Sequence, residues 1–146
     1  MTQTTAAVII GGIIPAIFFG LSGVFAKPST GAGIGTGPYL LCTGFAIAAV
    51  GVLMSIVIPD RAISLRSGFF AVLVGLTWAV AAGLVAFALT KYGVSISRLV
   101  PLYNMNTLVA ILIGLIVFAE WRDVNAVKLV FGSVLIVAGG VIVATS

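Results

Sequence analysis

The chain has no histidine, one cysteine and few charges, seven Lys or Arg and three Asp or Glu in 146 residues. Each shortage excludes something. Without His, the usual route to zinc chemistry and to His-based acid–base catalysis is closed. Cys42 stands alone inside an apolar run, so neither a disulfide framework nor a thiolate metal site is available. Ten charges cannot give a chain of this length a solvated surface, which excludes a soluble globular enzyme. The basic residues are scattered singly. The net charge of +4 therefore forms neither a nucleic-acid patch nor a polybasic lipid clamp. An intramembrane enzyme would need a nucleophile with a base, or a carboxylate pair, at depth, and none is present. No cofactor and no metal is expected.

What remains is apolar. Hydrophobic residues make up 62% of the chain, and the 18 Gly take the apolar share to about three quarters, against roughly half in soluble domains. About 20 apolar residues cross a hydrocarbon core about 30 Å thick. Five such runs are present, over about 5–26, 38–58, 68–89, 98–119 and 125–144. Every charge falls in a gap or at a span edge, as the cost of a charge at the bilayer centre requires. The expected fold is an all-α integral membrane protein, a single five-helix domain over residues 1–146. The first run lacks a positive flank and is longer than a signal-peptide core, so it is expected to stay in the mature protein. Between the first two runs, KPSTGAGIGTG (27–37) reads as a flexible connector or a gating loop. It is not a dinucleotide fingerprint, because no strand precedes it.

Cytoplasmic loops normally carry the excess of Lys and Arg. Here the N-terminus, second loop and fourth loop hold Arg61, Arg66, Arg122 and Lys128, while the opposite side holds Lys27, Lys91 and Arg98. Four against three barely chooses an orientation. With an odd number of spans, a weak bias allows both. Two oppositely inserted copies would form ten helices about a pseudo-two-fold axis in the membrane plane, the inverted-repeat geometry of many secondary transporters. The alternative is one weakly dominant orientation with a parallel dimer or none.

Small residues recur at helix-face spacing: Gly44, Ala48, Gly51 and Ser55 in span two, and Gly68, Gly75, Ala79 and Gly83 in span three. Such rows let helices approach closely in lipid, so tight bundle packing is expected there. Span five carries Gly132, Gly139 and Gly140 and reads as a scaffold or subunit-contact helix. Span four differs, with Pro101, Tyr103, Asn104, Asn106 and Thr107 in its first half. At about 100° per residue, Pro101, Tyr103, Asn104 and Thr107 share one half of the helix and Asn106 flanks them. Amides and hydroxyls at this depth need partners, on a neighbouring helix or on a substrate in a wet cavity. Pro101 removes a backbone hydrogen bond, which predicts a kink near a site. Trp78, at mid-span, lines a cavity or packs in the core. Pro15 marks a second kink, with Ser22 one and a half to two turns beyond it. Glu120 is placed in a capping, gating or Arg122-pairing role.

The stretch ALTKYGVSISRLVPLYNMNTLVAILIGLIVFAEW, a polar turn and VKLVFGSVLIVAGGVIVA resembles the C-terminal part of an EamA-type unit of the drug/metabolite transporter superfamily. The pattern falls on Pro101, Gly114, Glu120, Gly132 and Gly139, and FFGLSGVFAK at 18–27 resembles the first helix of such units. The resemblance implies a multi-pass transporter of small organic metabolites in the bacterial cytoplasmic (inner) membrane. Family members mostly carry two units of opposite topology in one chain. A single unit implies a partner, most simply an antiparallel second copy. The small multidrug relatives use a membrane-embedded Glu in the first helix, and here that span has no carboxylate. No span holds an acid near its middle, so no proton relay is visible. Amide, hydroxyl and aromatic groups suit a neutral or zwitterionic polar solute. Tyr103, Asn104 and Thr107 are the first candidates, followed by Trp78, Asn106 and Ser22. The alternative function is a non-transporting membrane subunit, half of a heterodimeric transporter, or a flippase for a lipid-linked headgroup.

Overall fold

The computed structural model describes residues 2–59, 62–119 and 124–145, and every regular element among them is helical. Five stretches are long and apolar enough to cross a membrane: Gln3–Gly31, Thr36–Val57, Leu65–Tyr92, Ile96–Val117 and Val127–Ala144. The chain divides into two compact units, Met1–Gly93 and Val94–Ser146.

In the first unit, α1 (Gln3–Val8) runs into a π-helical turn (Ile9–Ile13) and then α2 (Ile14–Gly31). The widened turn has a local cause. Pro15 has no N–H, and in a regular helix its ring would press on the Gly11 carbonyl four residues back. Gly11 and Gly12 hold the α conformation weakly, so the extra residue is absorbed there and the Ile14 N–H reaches back five residues to the Ile9 carbonyl. The helix α2 continues through Lys27 and Pro28. Its end is held by Thr30, whose hydroxyl donates to the Ala26 carbonyl at 2.8 Å, and Gly33 then turns the chain at φ 87°. The connector expected over 27–37 is thus mostly helix. Helix α3 (Thr36–Val57) starts with Pro38 in its first turn, where its missing N–H costs nothing. Helix α4 (Leu65–Tyr92) begins at a capping box in which Ser64 and Ser67 satisfy each other's N–H groups. Gly93 closes it at φ 63°.

Both α2 and α3 pack on α4. The buried residues are mostly small: Gly23, Ala26 and Thr30 on α2, and Gly83 and Ala86 on α4, with Leu89 the one large side chain among them. A Cβ at Gly83 would stand 3.1 Å from Leu40 Cδ1 of α3. The row Gly44, Ala48, Gly51 and Ser55 does not pack this way. Nothing on α3 is buried, and a Cβ at Gly44 or Gly51 would meet open space within the chain, as it would at Gly75.

In the second unit, α5 (Ile96–Tyr103) and α6 (Asn106–Val117) make up span four, and α7 (Ala126–Ala144) packs against α5. Asn125 caps α7 by accepting from the Lys128 N–H at 3.0 Å.

Large apolar side chains point outward throughout. Phe45 is 78% exposed, and the buried hydrophobic residues among those described are Ala26, Ala86 and Leu89. Small residues inside and large apolar ones outside is the arrangement lipid favours, because hydrocarbon leaves no hydrophobic drive to bury Leu or Phe and helices associate by close packing instead.

Candidate functional site

Span four is interrupted after Pro101. The residues Asn104 and Met105, at φ/ψ of −66/−11° and −62/−9°, form a tightened turn between α5 and α6. The Met105 N–H bonds back three residues to the Leu102 carbonyl (3.2 Å), Thr107 N–H to Asn104 (3.2 Å) and Leu108 N–H to Met105 (3.0 Å). These are 3₁₀-type bonds, and they take from the Pro101 carbonyl the donor a regular helix would have given it. That carbonyl lies against Gly140 of α7, where a Cβ would be 3.1 Å from its oxygen. The kink expected at Pro101 therefore takes the form of a tightened turn three residues later, held by a glycine on the facing helix.

The polar side chains of the spans fall into two groups. In one, Ser and Thr hydroxyls are satisfied by their own helix. Ser22 donates to the Phe19 carbonyl at 2.7 Å, Thr77 to Leu73 at 2.9 Å, Thr90 to Ala86 at 2.6 Å and the buried Ser133 to Leu129 at 2.8 Å. Thr107 donates to the Asn104 carbonyl at 2.9 Å, adding a second bond to the tightened turn. A hydroxyl bonded this way asks nothing of a neighbour. The carboxamides of Asn104 and Asn106 and the indole N–H of Trp78 make no hydrogen bond to any described residue. All three residues are exposed, Trp78 at 40%. In a hydrocarbon setting an unmatched amide costs several kcal/mol, roughly, so a group with no partner among the described residues calls for one elsewhere.

The expected site residues are distributed as follows. Tyr103, Asn104, Asn106 and Thr107 stand on two consecutive turns of span four in the second unit. Ser22 on α2 and Trp78 on α4 belong to the first unit, and Pro15 adjoins the π-helical turn. Tyr103 is half-buried beside the two exposed amides. Asn104 and Thr107, three residues apart across a 3₁₀ turn, are nearly eclipsed, whereas Asn104 and Asn106 point about 120–160° apart. Gly140 is engaged by Pro101, while a Cβ at Gly132 or Gly139 would meet open space. Those two, seven residues apart, share a face about 80–100° round from Gly140. Glu120, like Trp121, Arg122 and Asp123, lies outside the described residues. Among the described residues no group of His, Cys, Asp or Glu could hold a metal.

The role of Met105 was not legible in advance, though the run Asn-Met-Asn just after a Pro was its signal: two short polar side chains that weaken regular helix. Comparison with protein-family models, curated proteins and solved structures gave no match.

Proposed function

We propose that the chain is a membrane transporter of a small polar organic metabolite, neutral or zwitterionic, working by alternating access as an antiparallel homodimer in the bacterial inner membrane. The observation that carries this reading is the Asn104 carboxamide at the interruption of span four, exposed and with no hydrogen bond to any described residue, with the Tyr103 ring and the Thr107 hydroxyl beside it. A carboxamide offers both donors and acceptors, Thr107 Oγ1 keeps its acceptor capacity, and a ring covers apolar edges of a solute. Discontinuous spans are where transporters hold substrates, because the interrupted backbone and its polar side chains tolerate that depth only around a wet cavity. The three acids of the chain, Asp60, Glu120 and Asp123, all lie between the spans, which favours a solute without net positive charge.

The pairing of copies rests on separate support. The basic residues are almost evenly divided between the two sides, and the ordered set Pro101, Gly114, Glu120, Gly132 and Gly139 resembles an EamA-type unit that functions as one of two inverted halves. The open face of Gly132 and Gly139 suits a close subunit contact.

The test has two stages. Purified protein is screened by thermal shift against sugars, polyols and amino acids, since a ligand at 100 times its Kd stabilises by about 2.7 kcal/mol. Uptake of the hit is then measured in proteoliposomes. Asn104→Leu should abolish uptake while membrane insertion and melting behaviour are retained. Unchanged uptake refutes the site. A second five-span chain that co-purifies, with no uptake by this chain alone, points to the membrane-subunit or heterodimer reading.

A further inference from the structure

The two carboxamides of span four do not share a direction. Two residues apart, they diverge by about 160° in α geometry and about 120° across a 3₁₀ turn. If Asn104 with Thr107 serves a solute, Asn106 faces elsewhere, is exposed and has no hydrogen bond to any described residue.

It lies on an exposed apolar face of span four. The residues Leu102, Asn106, Val109, Ile113 and Ile116 recur at spacings of four, three, four and three. The four apolar ones are 43%, 58%, 49% and 72% exposed. A 4-3-4-3 spacing is the repeat of a helix–helix seam; the two tightened residues wind Leu102 roughly 40° further round, which leaves it on the face of Val109, and a single Asn within such a seam fixes register and the number of strands. Membrane helices cross at similar angles to soluble coiled coils, so the same seam geometry serves in lipid.

Depth then selects the partner. Ten residues of the span Ile96–Val117 precede Asn106 and eleven follow it. A span of this length matches the hydrocarbon core, so its middle stands near the bilayer centre. A two-fold axis in the membrane plane sends a residue at one depth to the opposite depth. Only a residue at the midplane can meet its own copy. Asn106 is at that level, and its side chain is self-complementary: the N–H of each carboxamide can donate to the oxygen of the other.

We infer that Asn106 is a subunit contact, paired with Asn106 of an inverted second copy through two reciprocal hydrogen bonds at the bilayer midplane, in a seam where Leu102 of each copy packs across Val109 of the other. This rests on the antiparallel two-copy reading above and removes Asn106 from the solute site. The Asn104 carboxamides, about 3 Å off the midplane in each copy, are then separated in depth by about 6 Å.

The test uses the full chain in native membranes and in proteoliposomes, with Cys42→Ser as background. Under mild oxidation Asn106→Cys should form a covalent dimer. A mixture of Leu102→Cys and Val109→Cys chains should cross-link to each other, and neither should link to itself. Asn106→Leu, which suits a lipid-facing surface, should raise the dimer dissociation constant about three- to thirtyfold in a dilution series read by energy transfer, from roughly 0.6–2 kcal/mol for such pairs. Asn104→Leu should change it less than twofold. A dimeric wild type with no Asn106→Cys link and no effect of Asn106→Leu overturns the assignment of Asn106 alone. Self-linking at Val109 without a Leu102–Val109 link overturns the inverted seam. A wild type that stays monomeric at high protein density overturns the two-copy reading itself, and this contact with it.

Discussion

Gly140 to Ala is the sharpest test of how α7 is seated on span four. An added Cβ would lie 3.1 Å from the Pro101 carbonyl oxygen, 3.6 Å from its carbon and 3.9 Å from Met105 Cγ. The nearest atom is backbone in a turn already tightened by three 3₁₀ bonds, so it cannot swing aside as a side-chain end would. The helices must part by a few tenths of an ångström. Overpacking of this kind costs about 1–3 kcal/mol. Against it stands the gain from replacing Gly in a helix, about 0.5–1 kcal/mol. The neighbouring Gly139 separates the two effects. It has the same helical setting and open space around its Cβ within the chain, so in protein dispersed to single chains by detergent Gly139→Ala keeps the gain without the clash. Gly83 is intermediate: its Cβ would also meet an atom at 3.1 Å, but that atom is Leu40 Cδ1, which can rotate away. The expected order of stability is Gly139→Ala, then Gly83→Ala, then Gly140→Ala. The gap between the first and last is about 1–3 kcal/mol, or roughly 3–10 °C in melting temperature for a chain of this size. The assay is thermal unfolding in detergent followed by intrinsic fluorescence. A Gly140→Ala protein that melts with or above Gly139→Ala refutes the close approach of α7 to Pro101.

Other consequences are simpler to state. Ser64→Ala removes the side-chain acceptor of the α4 capping box and should lower stability by about 1 kcal/mol, read as a lower melting temperature. Two backbone positions should respond with opposite signs: Gly93→Ala, at φ 63°, should destabilise by about 1 kcal/mol, and Ala119→Gly, where an alanine holds φ 54°, should stabilise by a similar amount. Tags at both termini should each be reached from both sides of the membrane, and a single side for each tag in all molecules would refute dual insertion. Thr107→Val should reduce uptake less than Asn104→Leu, because the Thr107 proton is already committed to the Asn104 carbonyl; equal losses would show that the hydroxyl is read directly by the solute.

Much of the architecture was legible from composition and spacing, with helix ends displaced by a few residues. The first span begins at Gln3 rather than near Thr5 and continues through Pro28 to Gly31, where the Thr30 hydroxyl bonds back to the last turn. The third extends to Tyr92, putting Lys91 on the helix, because Gly93 is the first residue that releases it. The polar cluster of span four was visible as a cluster, but its division was not. Asn and Thr look alike in a polarity pattern; whether a side chain can reach its own backbone decides that Thr107 is satisfied while Asn104 and Asn106 find no partner among the described residues. Rows of glycine were equally undiscriminating. Gly44, Gly51, Gly83 and Gly140 have the same sequence appearance, yet two face open space and two lie in close contacts.

The sequence by itself determined that five apolar stretches become helices, because in hydrocarbon each stretch must satisfy its backbone internally, and that the ten charges stand at or between their ends, because a charge at depth is costly. Tertiary structure alone decided which glycines touch a neighbour, where the Pro15 and Pro101 perturbations are absorbed, and which polar groups find a partner in their own helix. Those outcomes depend on the direction of each side chain and on the carbonyl that happens to face it, and a one-dimensional pattern of small, apolar and polar residues carries neither.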